Sequence, residues 1–273
     1  MQSIINILTR KNCLRRITGV KHEKFQKLIS ELKGAWKAKQ KRKQVAGRPY
    51  GVGDLPGHLL LLLIYYRSYT TYFFLGHIFH VNEATICRAI KRIAPLAERV
   101  LKIKPEKILS ESDLKALIVD ATEQRIERPK NQREYYSGKK HAHTIKKELV
   151  CTPNRLICRV SKAYPGRYHD FNIRKNEGAL PAVPILADSG YQGLQNYHLA
   201  GVFIPKKKPK NGSLSDAEKA ENKRLARCRI VVEHVIGHLK KWQILAARFR
   251  GHLATYDQIF EIIAGLHNFQ LAG

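Results

Sequence analysis

The chain has 273 residues, with 50 Lys+Arg against 22 Asp+Glu and a formal net charge of +28. Its 44% hydrophobic content excludes a disordered polycation. A foldable chain so charged calls for a polyanionic partner, nucleic acid first and an anionic membrane surface second, and excludes a metabolic enzyme of small neutral substrates.

Residues 1–53 hold 14 Lys+Arg and two acids. The run Lys37-Ala38-Lys39-Gln40-Lys41-Arg42-Lys43 and the helix-breaking Gly47-Arg48-Pro49 suggest either a basic arm that follows phosphates or a solvated helix end. Residues 54–100 read as helical. Asp54 is placed as an N-cap, with Pro56 in the first turn. The longest apolar run, Leu59 to Tyr66, falls far short of the roughly 20 residues that cross a bilayer. Leu75, Ile78 and Phe79 share one face of a short helix, Val81 plugs a turn, and Asn82 caps a second helix. The buried face of that second helix is Ile86, Ile90 and Ile93. The pattern is that of a helix-turn-helix, or else an ordinary helical hairpin; in the first case Glu83, Thr85, Arg88 and Lys91 face the DNA. The expected organisation is a helical DNA-binding region over 1–105 and an α/β (α+β) domain over 106–273.

From residue 114 the period changes. Leu117-Ile118-Val119 reads as a buried strand ending in Asp120. Thr144 to Cys151 and Leu156 to Ser161 flank a turn and read as a hairpin. Pro184 to Ala187 is a short strand that delivers Asp188 to a Gly turn, and Val202-Phe203-Ile204 is another strand. Ser215 to Glu218 caps a long helix reaching about Trp242. Ile259, Ile262, Ile263, Leu266 and Phe269 mark a last amphipathic helix. Five scattered cysteines form no CxxC pair, and the first twenty residues carry no signal pattern, so a reduced, cytoplasmic protein is expected.

Only seven aspartates occur. A carboxylate at the end of an apolar strand is costly unless it is paired, protonated or bound to a cation. Asp120 and Asp188 are therefore candidate ligands for a hard divalent ion, the alternative being that each caps its turn. On the long helix, with Arg229 set at zero and about 100° per residue, Glu233 falls near 40° and Lys240 near 20°. These three make one polar ridge beside the apolar arc, suited either to a metal ligand with phosphate contacts or to a helix salt bridge. His234 and His238 are spaced like zinc ligands but project away from Glu233, and no HExxH occurs, so zinc is not expected.

The motifs resemble those of bacterial transposases of the "insertion sequence five" family. The likeness runs through Ile17-Thr18-Gly19-Val20, Gly47-Arg48-Pro49 and Thr85 to Ile90. It continues in Val119-Asp120-Ala121-Thr122-Glu123, Tyr135 to Lys140 with His143-Thr144, Pro165 to Asp170, and Ala187 to Gly193, and it closes in the Glu233 helix. It implies an RNase H-like catalytic domain of the DDE type with Asp120, Asp188 and Glu233 as the catalytic, metal-holding triad, at separations of 68 and 45 residues. The family's third-acid signature is met by Arg229, Glu233 and Lys240, whereas Ala226 stands where the family has Tyr. The resemblance further implies two Mg²⁺ (or Mn²⁺) ions per site and hydrolysis followed by attack of a 3′-hydroxyl on target DNA. It implies recognition of terminal inverted repeats, with a homodimer on DNA. Arg88, Lys91, Lys139, Lys140, Arg229 and Lys240 are the expected DNA contacts, and His169 and Asp170 either support the site from behind or contact DNA. A non-catalytic DNA-binding protein or inactive relic would keep the charge and the helix-turn-helix without needing the acids. A nuclease without strand transfer would share the site.

Overall fold

Apolar residues at helical spacing build the first part of the chain in the computed structural model, which describes residues 10–41, 50–111, 115–210 and 212–272. Arg42, Lys43 and Gly47-Arg48-Pro49 of the expected arm lie outside those residues. Two units are distinguished. One comprises Met1–Lys102, Lys240–Ala247 and Gln258–Gly273; the other comprises Ile103–Leu239 and Arg248–Asp257.

The first unit opens with α1 (Lys11–Thr18), α2 (His22–Lys41), α3 (Leu55–Ser68), α4 (Tyr72–Phe79) and α5 (Glu83–Leu101). Helix α3 is apolar on every side, and Leu59 to Leu63 are all buried. It is the centre against which α1, α2 and α5 pack. Each such leucine contributes roughly 1.5–3 kcal/mol of burial. Asp54 occupies the N-cap position of α3 but does not cap it with its side chain. Its carboxylate instead accepts from Trp36 Nε1 at 2.7 Å and Gln40 Nε2 at 3.1 Å.

The α4–α5 turn follows the sequence closely. Asn82 Oδ1 accepts the Ala84 N–H at 2.9 Å, and Ile86, Ile90 and Ile93 are buried. Val81 N–H returns to Gly76 O at 2.9 Å. A Cβ on Gly76 would stand 2.6 Å from Val81 O, so the close turn requires glycine there. Ile78 departs from expectation. It is 37% exposed, because eight residues of helix turn only Leu75 and Phe79 fully inward. Arg88 and Lys91 are exposed, as a groove-reading face requires, while Thr85 is half-buried and accepts from Arg88 at 3.4 Å.

The second unit begins with α6 (Pro105–Glu111), then β1 (Leu117–Arg125), α7 (Gln132–Tyr135), β2 (Tyr136–Ser137), β3 (Ala142–Cys151), β4 (Ile157–Val160) and β5 (Tyr164–Pro165). It continues with α8 (Asp170–Asn176), β6 (Ile185–Ala187), β7 (Val202–Phe203) and α9 (Asp216–Leu239). Among the described residues the sheet has the order β2-β3-β1-β6-β7, with β4 and β5 also on β3. Pairing is antiparallel from β4 through β3 to β1, and parallel from β1 through β6 to β7. This is the mixed RNase H-like sheet that the resemblance implies.

β1 does not end at Asp120. Its second half has an antiparallel partner, from Asp120 opposite Leu149 to Arg125 opposite Thr144. Asp120 therefore lies within the strand, at the point where the parallel pairing with β6 stops. The predicted capping box of α9 is present, with Glu218 N–H to Ser215 Oγ at 3.2 Å and Ser215 N–H to Glu218 Oε2 at 2.9 Å. Past α9 come α10 (Gln243–Ala246) and α11 (Tyr256–Leu271). The first residues of α11 belong to the second unit, where the Tyr256 hydroxyl donates to Gln124 at 2.8 Å and Asp257 accepts from buried Lys147 at 2.6 Å. From Gln258 on, Ile259, Ile262, Ile263 and Leu266 are buried in the first unit. Among the described residues no helix is long and apolar enough to cross a membrane.

Candidate active site

Parallel pairing sets Ile118 beside Leu186 and Val119 beside Ala187. The next residue of each segment is an aspartate, Asp120 within β1 and Asp188 just past the end of β6, where it keeps extended backbone. Equal register on neighbouring strands puts both carboxylates on one face, opposite Val119 and Ala187, which are buried in the core cluster with Tyr191 and Leu194. Asp120 is half-buried, and its backbone neighbour Ala121 donates N–H to Oδ1 at 2.8 Å. Burial pushes its carboxyl up to about 6, helped by the charges of Asp188 and Asp170 and opposed by the Ala121 bond and Arg229. Asp188 is more open, with 45% of its side chain exposed.

Helix α9 packs on β1, β6 and β3 and brings Arg229 to the pair. Arg229 is buried, with a terminal nitrogen 3.4 Å from Asp188 Oδ1. Its Nε has no hydrogen-bond partner among the described residues. One turn on, Glu233 is exposed. Lys240 lies just past the end of α9, in the first unit, and is exposed. Among the described residues no three His, Cys, Asp or Glu side chains gather closely enough to hold an ion. The site thus brings Asp120, Asp188 and Arg229 together, and Glu233 is not gathered with the two aspartates. The exposed His234 and His238 do not join it.

Two rungs from β3 add what the sequence reading did not name. Lys146 Nζ pairs with Asp170 Oδ1 at 3.1 Å, and two residues on, buried Glu148 pairs with buried Arg174. Asp170 and Arg174 are one turn apart, so the rungs fasten α8 to the strand. Burial pushes Glu148 up to about 7 against the pull of Arg174. The fastening sets Asp170 against the Asp188 turn, where a Cβ on Gly190 would stand 2.9 Å from Asp170 Oδ2. His169, at the N-cap of α8, is exposed. Lys139 and Lys140 are exposed in the β2–β3 turn. The readable signal for the rungs was Lys146-Lys147-Glu148, three charges inside an apolar strand, each of which demands a partner.

Hard oxygen donors with a raised carboxyl and a like charge alongside suit a divalent cation, which would relieve both burial and repulsion. The Asp120 and Asp188 carboxylates fit such an ion on these grounds as a pair, with no third acidic or imidazole donor gathered beside them among the described residues.

Comparison with known proteins accords with this fold. A family model described as DDE superfamily endonuclease matches residues 119–268, and one described as helix-turn-helix of DDE superfamily endonuclease matches residues 54–103. The chain belongs to the DDE superfamily endonucleases, on the insertion-sequence transposase branch. It is 32% identical over 267 residues to the "Probable transposase for insertion sequence element IS702" of Microchaete diplosiphon, covering 94% of each chain. No solved structure matches it significantly.

Proposed function

We propose that this chain is a DNA transposase that binds the terminal inverted repeats of its own element and cuts and joins DNA at the Asp120–Asp188 site, with Glu233 as third carboxylate. The observation that carries this reading is the pair of aspartates that follow the last parallel-paired residues, Val119 and Ala187, one with its carboxyl pushed up to about 6. Mg²⁺ or Mn²⁺, two ions per site, would supply Lewis-acid polarisation of the scissile phosphate and activation of water or of a 3′-hydroxyl.

The protein's part is placement. Asp120 and Asp188 present anionic oxygens on one face, and Arg229 steadies Asp188 and meets a phosphate. Glu233 closes the ligand set from α9, one turn beyond Arg229. Lys139, Lys140 and Lys240 hold DNA backbone, and His169 and Asp170 support the aspartates from α8. Residues 1–105 read DNA, with Arg88 and Lys91 on the helix that enters the major groove, and residues 106–273 carry the chemistry. Two element ends must meet for joining, so the chain acts as a homodimer on DNA, in the cytoplasm on the nucleoid.

Asp120→Asn and Asp188→Asn should each abolish Mg²⁺-dependent cutting of DNA flanking the gene while leaving DNA binding within a few-fold. Cutting by either variant at the wild-type rate would refute the site. The exposure of Glu233 and the Ala226 position favour one rival, a DNA-binding protein that no longer cuts. That rival predicts binding without cutting by the wild-type protein as well.

A further inference from the structure

Two grooves of the second unit meet at Arg167. One, of about 450 Å³, is lined by Arg167, Tyr168, His169, Asn172, Lys175 and Asn176, with one acid, Glu134, among them. The other, of about 550 Å³, is lined by Gln132, Arg133, Tyr136, His143 and Arg167. Volumes of this order are those of small-ligand sites, roughly 300–1,000 Å³.

Cations outnumber the one acid of the lining, Glu134, by three to one. Tyr136 and Tyr168 leave 45% and 41% of their surface open. Each ring is braced by a neighbour, Tyr136 against His143 with centroids 5.8 Å apart and Tyr168 against Tyr164 at 5.4 Å. Arg133, Arg167 and Lys175 are exposed cations, and Gln132 and Asn172 supply amides. Braced aromatic faces, cations and amides suit stacked bases, phosphates and base edges, respectively. The base faces of a duplex are covered by their neighbours, so open rings of this kind take unpaired nucleotides.

The groove is also tied to the carboxylates. Lys146 Nζ donates to the Tyr168 carbonyl at 2.8 Å and to Asp170 at 3.1 Å, so a single side chain holds both the groove wall and the acid beside Gly190.

We propose that the joined grooves bind a single-stranded stretch of DNA next to the Asp120–Asp188 site, with bases stacked on Tyr136 and Tyr168 and phosphates held by Arg133, Arg167 and Lys175. The assignment rests on the reading above only in taking the polyanion to be DNA.

The test uses the full chain in EDTA, so that no cutting intervenes. Affinity is measured by fluorescence anisotropy for a blunt duplex and for the same duplex with a six-nucleotide 3′ tail carrying 2-aminopurine. The wild-type protein should prefer the tailed duplex by roughly tenfold and quench the probe, one stacked base being sufficient for that effect. Tyr168→Ala should lose most of the preference without changing blunt-duplex binding, and Tyr168→Phe should restore it. Arg167→Ala should lower the salt slope for the tailed duplex by about one. A tail that adds nothing would overturn the proposal, as would a Tyr168→Ala loss equal on both substrates. Metal-dependent cutting without a tail preference would sink the groove alone. A tail preference without cutting would sink the transposase reading alone.

Discussion

Replacing a proposed catalytic carboxylate should make the metal-free protein more stable at neutral pH. Burial raises the Asp120 carboxyl from 3.8 to about 6, so the folded state binds its proton more tightly than the unfolded chain. That displacement corresponds to about 3 kcal/mol. The folded value lies above the unfolded one. The contribution is therefore complete below about pH 4 and is lost as pH rises through about 6. Asp120→Asn removes the loss, and its Oδ1 keeps the 2.8 Å bond from Ala121 N–H. Urea denaturation in EDTA should show the variant more stable by about 2–3 kcal/mol at pH 7.5, with the gain shrinking toward zero at pH 4. Taking the difference between variant and wild type removes the overlapping titration of Glu148. Saturating Mg²⁺ should raise wild-type stability and leave the variant nearly unmoved. A variant equal to or less stable than wild type at pH 7.5, or a gain that persists undiminished at pH 4, would show that burial does not destabilise the Asp120 carboxylate.

Other expectations follow from the packing and the charge. Arg174→Met leaves the Glu148 carboxylate buried without its partner and should cost about 3–5 kcal/mol at pH 8 in a urea titration, less at pH 5 where that carboxyl takes a proton. Asn82→Ala removes the cap at the start of α5 and should cost about 1 kcal/mol in the same assay. DNA affinity should fall by roughly 10³–10⁵ between 50 and 200 mM salt if six to ten phosphates are contacted, as measured by anisotropy, and Lys91→Ala should reduce the slope by about one.

Local chemistry was legible in the sequence. The Asn82 cap, the Ser215–Glu218 box, the hairpin after Cys151 and the apolar faces of α5 and α11 all depend on neighbours within a turn or two. Asp120 and Asp188 were singled out because carboxylates are costly beside apolar strands. What stayed hidden depends on distant partners. The extension of β1 past Asp120 rests on its long pairing with β3, and the exposure of Ile78 on how α4 packs. The rungs Lys146–Asp170 and Glu148–Arg174 join residues 24 and 26 apart. The charges on β3 announced that partners were needed but could not name them. Helical geometry places Glu233 beside the buried arc; in the structure Arg229 is buried and Glu233, one turn on, is exposed.

This chain is proposed to cut DNA at its own element's ends with a divalent metal. The most direct measurement incubates the purified protein with duplexes spanning both flanks of its gene, with Mg²⁺, Mn²⁺ or EDTA, and maps the products to the nucleotide. The expected result is cuts that expose 3′-hydroxyls at the element's ends in either metal and none in EDTA. Folded, DNA-bound protein that leaves both strands intact in Mg²⁺ and in Mn²⁺ would contradict it.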